Sequence, residues 1–146
     1  MAITQAIANA FKKQLLEGDQ NFKSSGGDVF KLALYTSSAT LNSATTAYAS
    51  TNEVANTGTY AAGGDPLAGQ NTSIASGVAI VDFADLSFTG VTLTARGALI
   101  YNTSSAVTNA AVAVLDFGAD KTATSGTFTV QFPEFTTAAA ILRISG

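Results

Sequence analysis

The apolar and polar residues of this chain follow a helical period near its start and a strand period over most of the rest. Near the start, apolar side chains recur at steps of four, which places them on one face of a helix. These residues are Ile3, Ile7, Phe11 and Leu15. Gly18 is a natural end for such a helix. The pattern predicts one N-terminal amphipathic helix, running from Ile3 to Glu17 and forming an arm over residues 1–18.

After Gly26 and Gly27 the apolar residues alternate with others in steps of two, as in a strand with one buried face. The first such segment runs from Phe30 to Tyr35. Six more follow in the second half, separated by turn residues. They are 78–83, 86–88, 91–101, 111–117, 127–132 and 138–144. Gly97 interrupts the third of these, where we expect a bulge or kink.

One helix followed by six or more short strands predicts a mainly β fold. The strand spacing favours an antiparallel β-sandwich or jelly roll over residues 28–146. A length of 146 residues fits a single domain, 1–146, that includes the helical arm.

Residues 37–76 are rich in Thr, Ser, Ala, Asn and Gly, with Tyr48, Val54 and Tyr60 as isolated anchors. A structureless connection of that length is unusual inside a compact domain. We therefore expect the segment either to be partly β or to be held by contact with another molecule.

Composition removes most of the common active-site chemistry. The chain has no histidine and no cysteine, the residues that most often carry protons near neutral pH or bind transition metals. No Gly-x-Ser-x-Gly or phosphate-loop motif is present. The sequence predicts a binding or structural protein rather than an enzyme, with no cofactor and no metal.

Charge narrows the class of partner. The net charge is -3, and the seven Lys and Arg are scattered, so we expect no nucleic-acid binding. The apolar runs are shorter than the roughly 20 residues that cross a bilayer, so we expect no membrane span. Charged residues make up only 12% of the chain, about half the usual share. This favours a surface covered by copies of the same chain or by a partner, although a small alanine-rich domain has the same composition.

Two other groups of residues are candidates for a catalytic or ligand-binding role. Asp82 with Asp85, and Asp116 with Asp120, are acidic pairs at predicted strand ends. Such pairs are usually solvated turn residues, but they also suit calcium or glycoside hydrolysis. The four tyrosines can stack on a sugar, but more often such residues pack on a sheet with their hydroxyls in water. They are Tyr35, Tyr48, Tyr60 and Tyr101.

The helical stripe is the candidate partner interface. It packs either on the body of its own domain or on a neighbouring subunit, as terminal arms of assembly proteins do. The candidate interface residues are Ile3, Ile7, Phe11 and Leu15.

Blocks along nearly the whole chain resemble a family of small virion proteins of tailed bacteriophages. They are MAITQAI (1–7), FK (11–12), LLEG (15–18), FKLALYTSSATL (30–41), TNEV (51–54), VDFAD (81–85), ARGALIYN (95–102), AVAVLDFG (111–118), DKT (120–122) and GTFTVQFP (126–133). The resemblance implies a structural component of the virion, assembled in the bacterial cytoplasm.

A β-sandwich of this size with a helical arm is similar in type to capsid cement or decoration proteins. This likeness implies binding to the major capsid protein and to copies of itself, as a dimer or trimer. One alternative is a tail, baseplate or fibre-associated protein that binds the host through loops 37–76. Another is a carbohydrate- or calcium-binding β-sandwich module that uses the acidic turns and the tyrosines.

Overall fold

The computed structural model describes residues 2–134, 136 and 139–145 of the protein. Within them the fold is mainly β, with antiparallel sheets and one short helix, which confirms the predicted fold class. The elements are β1 (Ala6–Ile7), α1 (Asn9–Glu17), β2 (Phe30–Tyr35), β3 (Asp65–Pro66), β4 (Asn71–Ala75), β5 (Val78–Asp82), β6 (Leu86–Asn102), β7 (Ala110–Val130) and β8 (Leu142–Ile144). No helix in this described part is long and apolar enough to cross a membrane.

The strands form two antiparallel sheets with a shared core. One sheet has five strands in the order β1-β7-β6-β2-β3, and the other has three in the order β4-β5-β8. A cluster of phenylalanines joins them: the ring of Phe83, which follows β5, lies 5.8 Å from that of Phe30 on β2 and 5.9 Å from that of Phe132. Because the same buried cluster serves both sheets, the arrangement is sandwich-like.

A long hairpin of β6 and β7 is the centre of the larger sheet. The sequence predicted four strands here, 86–88, 91–101, 111–117 and 127–132, but they merge into two strands of 17 and 21 residues. Pairing continues through the residues that suggested turns, since Gly126 lies opposite Val91. The register shift between Phe88 and Val91 absorbs the intervening residues as a bulge.

Gly97 lies at another irregularity of β6, as predicted. The register shifts between Ala95 and Gly97, and a Cβ atom at Gly97 would collide with the carbonyl oxygen of Leu115. It would also lie 2.9 Å from Cγ2 of Ile3. The missing side chain therefore lets the N-terminal segment pack directly on the sheet.

The predicted helix boundary is wrong at its N-terminal end. The helix begins at Asn9, and residues 6–7 instead form β1, which pairs with Val114 and Ala113 of β7. The backbone N–H of Ala8 donates to Val112 O at 3.0 Å. These tertiary hydrogen bonds outweigh the local period-four pattern. The helix ends at Gly18, as predicted, in a left-handed conformation with φ of 80°.

The end of α1 is also fixed by a buried polar network. Nε2 of Gln20 donates to Gln14 Oε1 at 2.7 Å, and Nδ2 of Asn102 donates to Gln20 Oε1 at 2.8 Å. The same amide lies 2.7 Å from Oδ2 of Asp28. Since Asn102 is fully buried at the end of β6, this network connects the helix to the larger sheet.

Residues 37–76 are partly β, which was one of the two predicted possibilities. Isolated bridges form at Leu41, Ala47 and Glu53, and the segment also supplies β3 and β4. At the other end of the chain, the strand predicted over 138–144 is confined to Leu142–Ile144. Ala138 lies outside the described residues, and the strand predicted over 78–83 ends at Asp82.

Candidate contact surface

One face of the three-stranded sheet is apolar and partly exposed. Residues two apart on a strand share a face, and the pairing register aligns two rows across β4, β5 and β8. The inner row is Thr72, Val81 and Leu142, and the outer row is Ile74, Ala79 and Ile144.

The two rows differ in exposure. Leu142 is buried in the core and Val81 packs against it, whereas Ile74 is 77% exposed and Ile144 is 60% exposed. Scattered surface isoleucines are ordinary, but two on the same row of a sheet form a continuous apolar surface. This face therefore runs from the core out into solvent.

Helix α1 borders this face and makes it a groove. Phe11 and Leu15 of the helix and Ile7 of β1 contribute apolar side chains to a cavity of about 820 Å³ that also contains both rows of the sheet. The charged residues of its lining are Lys12 and Arg143, both cationic. We call this surface the α1 groove.

The structure separates the four predicted interface residues into two groups. Ile3 and Phe11 are 6% and 3% exposed and belong to the chain's own core. Ile7 and Leu15 are only partly buried and line the α1 groove. The stripe thus packs on the body of its own domain, and what remains available to a partner is Ile7, Leu15 and the sheet face beside them.

Sequence reasoning missed Ile74, because residues 37–76 were interpreted mainly as loops. A hairpin signal was present: residues 71–75 and 78–82 are separated by Ser76 and Gly77, a dipeptide typical of two-residue turns. Ser76 and Gly77 adopt φ of 50° and 77°, as in the type I′ turns that close tight hairpins.

The four tyrosines gather around Glu53, which the sequence did not predict. Tyr48 donates its hydroxyl to Oε2 of Glu53 at 2.6 Å, and Tyr60 donates to Oε1 at 2.7 Å. The N–H of Gly63 also donates to Oε1, at 2.6 Å. The carboxylate thus holds together three points of residues 37–76.

The two other tyrosines complete this cluster. Tyr35 donates to Ala49 O at 2.7 Å and Tyr101 donates to Gly63 O at 2.6 Å, while the ring of Tyr101 stacks on that of Tyr48 at 4.7 Å. Burial, and after it the nearby Glu53 carboxylate, raises the pKa of all four hydroxyls. The prediction that the hydroxyls remain in water is wrong, because each one bonds to the protein.

One member of each acidic pair has a local partner, whereas Oδ1 of Asp82 is buried without one among the described residues. Asp85 Oδ1 accepts the N–H of Phe132 at 2.8 Å. Asp116 Oδ1 accepts the N–H of Gly118 at 2.9 Å and lies 3.1 Å from Nε of Arg96, and these two contacts lower its pKa. Among the residues that the structure describes, no group of three acidic side chains is placed to hold a metal ion.

The arrangement of these side chains therefore favours a role in binding another surface over a role in catalysis. Both oxygens of the Glu53 carboxylate accept internal hydrogen bonds, whereas two of the exposed large apolar side chains, Ile74 and Ile144, lie together at the α1 groove. No family model, curated protein or solved structure matches this chain.

Proposed function

We propose that this protein is a structural component of a tailed-bacteriophage virion that acts by contact, as a capsid cement or decoration protein. Its partners are the major capsid protein and copies of itself. The observation that carries the proposal is the α1 groove, where Ile74 and Ile144 are exposed on a chain with only 12% charged residues. The resemblance of the sequence to small phage virion proteins supports the same assignment.

The mechanism is adhesion without turnover. Burying one isoleucine side chain contributes about 1.5–3 kcal/mol, so Ile74 and Ile144 supply a modest gain for each copy. Many copies on one particle multiply that gain, because each bound copy holds its neighbours at high local concentration. The low charge of the chain limits repulsion between adjacent copies.

Quantitative mass spectrometry of purified particles tests this proposal. A ratio to the major capsid protein between about one to one and one to three is expected for a cement protein on the head. A ratio tens of times lower would move the protein to the tail, baseplate or fibre, the alternative in which residues 37–76 contact the host. Absence from particles would overturn both assignments.

A matched pair of variants tests the groove itself. Ile144→Asp places a carboxylate inside the α1 groove, and we expect it to reduce incorporation into particles at least tenfold. Leu16→Asp changes an apolar residue that is 91% exposed and outside the groove lining, so incorporation should be retained. Equal incorporation of the two variants would exclude the groove as the contact.

A further inference from the structure

Strand β4 is an edge strand with an open side. It lies at the end of the order β4-β5-β8, and within residues 2–134, 136 and 139–145 its one partner strand is β5. All five of its residues, from Asn71 to Ala75, are exposed. An open edge of this kind presents unpaired backbone groups to any other strand.

The turn geometry indicates which backbone groups face outward. Residues that flank a two-residue turn form a hydrogen-bonded pair, so Ala75 bonds to Val78, and the alternation continues along the hairpin. The N–H and C=O groups of Thr72 and Ile74 therefore point away from β5. Consistent with this, the N–H of Thr72 bonds to the side-chain Oδ1 of Asn71 at 2.9 Å instead.

The usual protection of such an edge is missing. Natural sheets block open edges with charged side chains, prolines or bulges. Residues 67–81 include no charged residue and no proline, and β4 pairs with β5 in continuous register. Although the chain has a net charge of -3, two copies meeting along this edge would bring no like charges into opposition.

We propose that two copies of this chain pair along β4, antiparallel, around a two-fold axis at Ser73. In this register Thr72 of one copy lies opposite Ile74 of the other. These two pairs exchange four backbone hydrogen bonds, with the N–H of each Thr72 leaving Oδ1 of its own Asn71 for the partner strand. The two three-stranded sheets become one sheet of six strands. This pairing is the contact between copies that the proposed structural function requires, and as a biological role it rests on that proposed function.

A second copy is the occupant that this edge fits best. The outward donors and acceptors of Thr72 and Ile74 are related by the two-fold axis, as an isologous interface requires. The same register places each Ile74 beside a Thr72 on the groove side, a β-branched pair suited to adjacent strands. The two α1 grooves are then joined into one continuous apolar surface.

The proposed contact between two β4 strands is small, so we expect its affinity to be weak. A five-residue strand is about 17 Å long, and pairing two of them buries less than the roughly 800 Å² per partner of a stable interface. We therefore expect dissociation constants in the micromolar to millimolar range. Pairing in free solution then requires concentrations up to about 1 mM, and the high local concentration of an assembled particle favours it further.

Disulfide trapping tests the register, because the chain has no cysteine of its own. In Ser73→Cys the two thiols face each other across the axis, with Cα atoms about 4.5 Å apart, which is within disulfide range. In Ala75→Cys, on the same strand, the two Cα atoms are about 13 Å apart. We expect at least tenfold more disulfide dimer from Ser73→Cys in a glutathione redox buffer.

Two further variants complete the test. Ser38→Cys, on an exposed residue away from β4, measures random collision. Adding Ile74→Lys to Ser73→Cys places like charges at the edge and should reduce trapping to the Ser38→Cys level. Equal trapping at positions 38, 73 and 75 would overturn the proposed pairing. Circular dichroism confirms that each variant is folded.

Sedimentation equilibrium of the unmodified protein gives an independent measurement. We expect a monomer-dimer equilibrium that Ile74→Lys abolishes, and a protein that remains monomeric at about 1 mM would overturn the proposal. Both experiments use purified protein without particles. A failure of edge pairing is therefore distinguishable from absence of the protein in virions, which overturns the proposed function.

Discussion

Tyr60 connects Glu53 to strand β2 through its hydroxyl. The hydroxyl donates to Oε1 of Glu53 at 2.7 Å and accepts the backbone N–H of Leu34 at 2.8 Å. A polar side chain from the Thr- and Ser-rich segment is thereby fixed against a strand of the larger sheet. The segment that composition alone describes as loops is anchored by one carboxylate and the phenols around it.

Replacing Glu53 tests this anchor. Glu53→Ala leaves the hydroxyls of Tyr48 and Tyr60 and the N–H of Gly63 without their acceptor. Since an unsatisfied buried group costs about 1–3 kcal/mol, we expect a loss of about 3 kcal/mol or more in the free energy of unfolding. Urea denaturation measures this loss.

Two conservative variants are controls for this prediction. Glu53→Gln retains one side-chain oxygen and an amide that can donate to a tyrosine hydroxyl, so its loss should be smaller than that of Glu53→Ala. Glu17→Gln removes an exposed partner of Lys13 and should change stability by less than about 0.5 kcal/mol. Glu53→Ala behaving like Glu17→Gln would show that the cluster contributes little.

Alkaline pH should destabilise the protein. Burial, followed by the Glu53 carboxylate, raises the pKa of Tyr101 to about 12 and those of the other tyrosines further. The native state then retains protons that the unfolded state releases above pH 10. Tyrosine-linked stability is therefore complete below pH 10 and is lost as the pH rises toward 12 and above.

Absorbance at 295 nm and circular dichroism, recorded together from pH 8 to 12.5, check this pH dependence. Phenolate absorbance should rise together with the loss of folded signal. Ionisation of the tyrosines near pH 10 with an unchanged circular dichroism spectrum would contradict the buried cluster.

Alanine substitutions at two glycines of the long hairpin test whether close packing or backbone flexibility determines the effect on stability. Gly97→Ala places a methyl group against the carbonyl of Leu115 and 2.9 Å from Ile3, so we expect a loss of about 1–3 kcal/mol or more. In Gly126→Ala the added methyl group lies 3.5 Å from the carbonyl oxygen of Thr124, an ordinary van der Waals contact. This substitution should be neutral or stabilise by up to about 1 kcal/mol, and thermal melts that rank the two equally would contradict this difference.

Two apolar residues of α1 test whether the helix packs on its own chain. Phe11→Ala removes a side chain that is 3% exposed and makes an edge-to-face contact with Phe22 at 5.8 Å, and should cost about 3–5 kcal/mol. Leu16→Ala changes an exposed residue and should have an effect within about 0.5 kcal/mol. A small effect of Phe11→Ala in the monomer would instead favour packing on a neighbour.

The sequence predicted those elements whose period is set locally. Strand β2 has the predicted bounds, Phe30–Tyr35, because its local alternation is uninterrupted. The prediction of one buried face is wrong, because Ala33 and Tyr35 on the other face are buried as well. The start of the helix was wrong because the partners of Ala6 and Ile7 lie more than a hundred residues later in β7. No local pattern carries that information.

The site was harder to predict than the fold for the same reason. Ile7 and Leu15 could be proposed from the helical stripe, but Ile74 lies in a hairpin whose exposure depends on how the two sheets meet. Glu53 is an isolated acid in a polar segment. Its importance follows only from the convergence of Tyr48, Tyr60 and Gly63, which lie at separate points of residues 37–76.

The strand order also has a consequence for synthesis on the ribosome. β1 pairs with β7 and β2 pairs with β6, so each early strand needs a partner from the second half of the chain. At 5–20 residues per second, Ile7 emerges about 5–20 s before Ala113. Until β6 and β7 appear, β1 has no partner strand and β2 has only the two-residue strand β3. The apolar segments of the N-terminal half then depend on chaperones or on residual compactness to avoid misassociation. The later half, by contrast, can close its hairpin as soon as β7 appears.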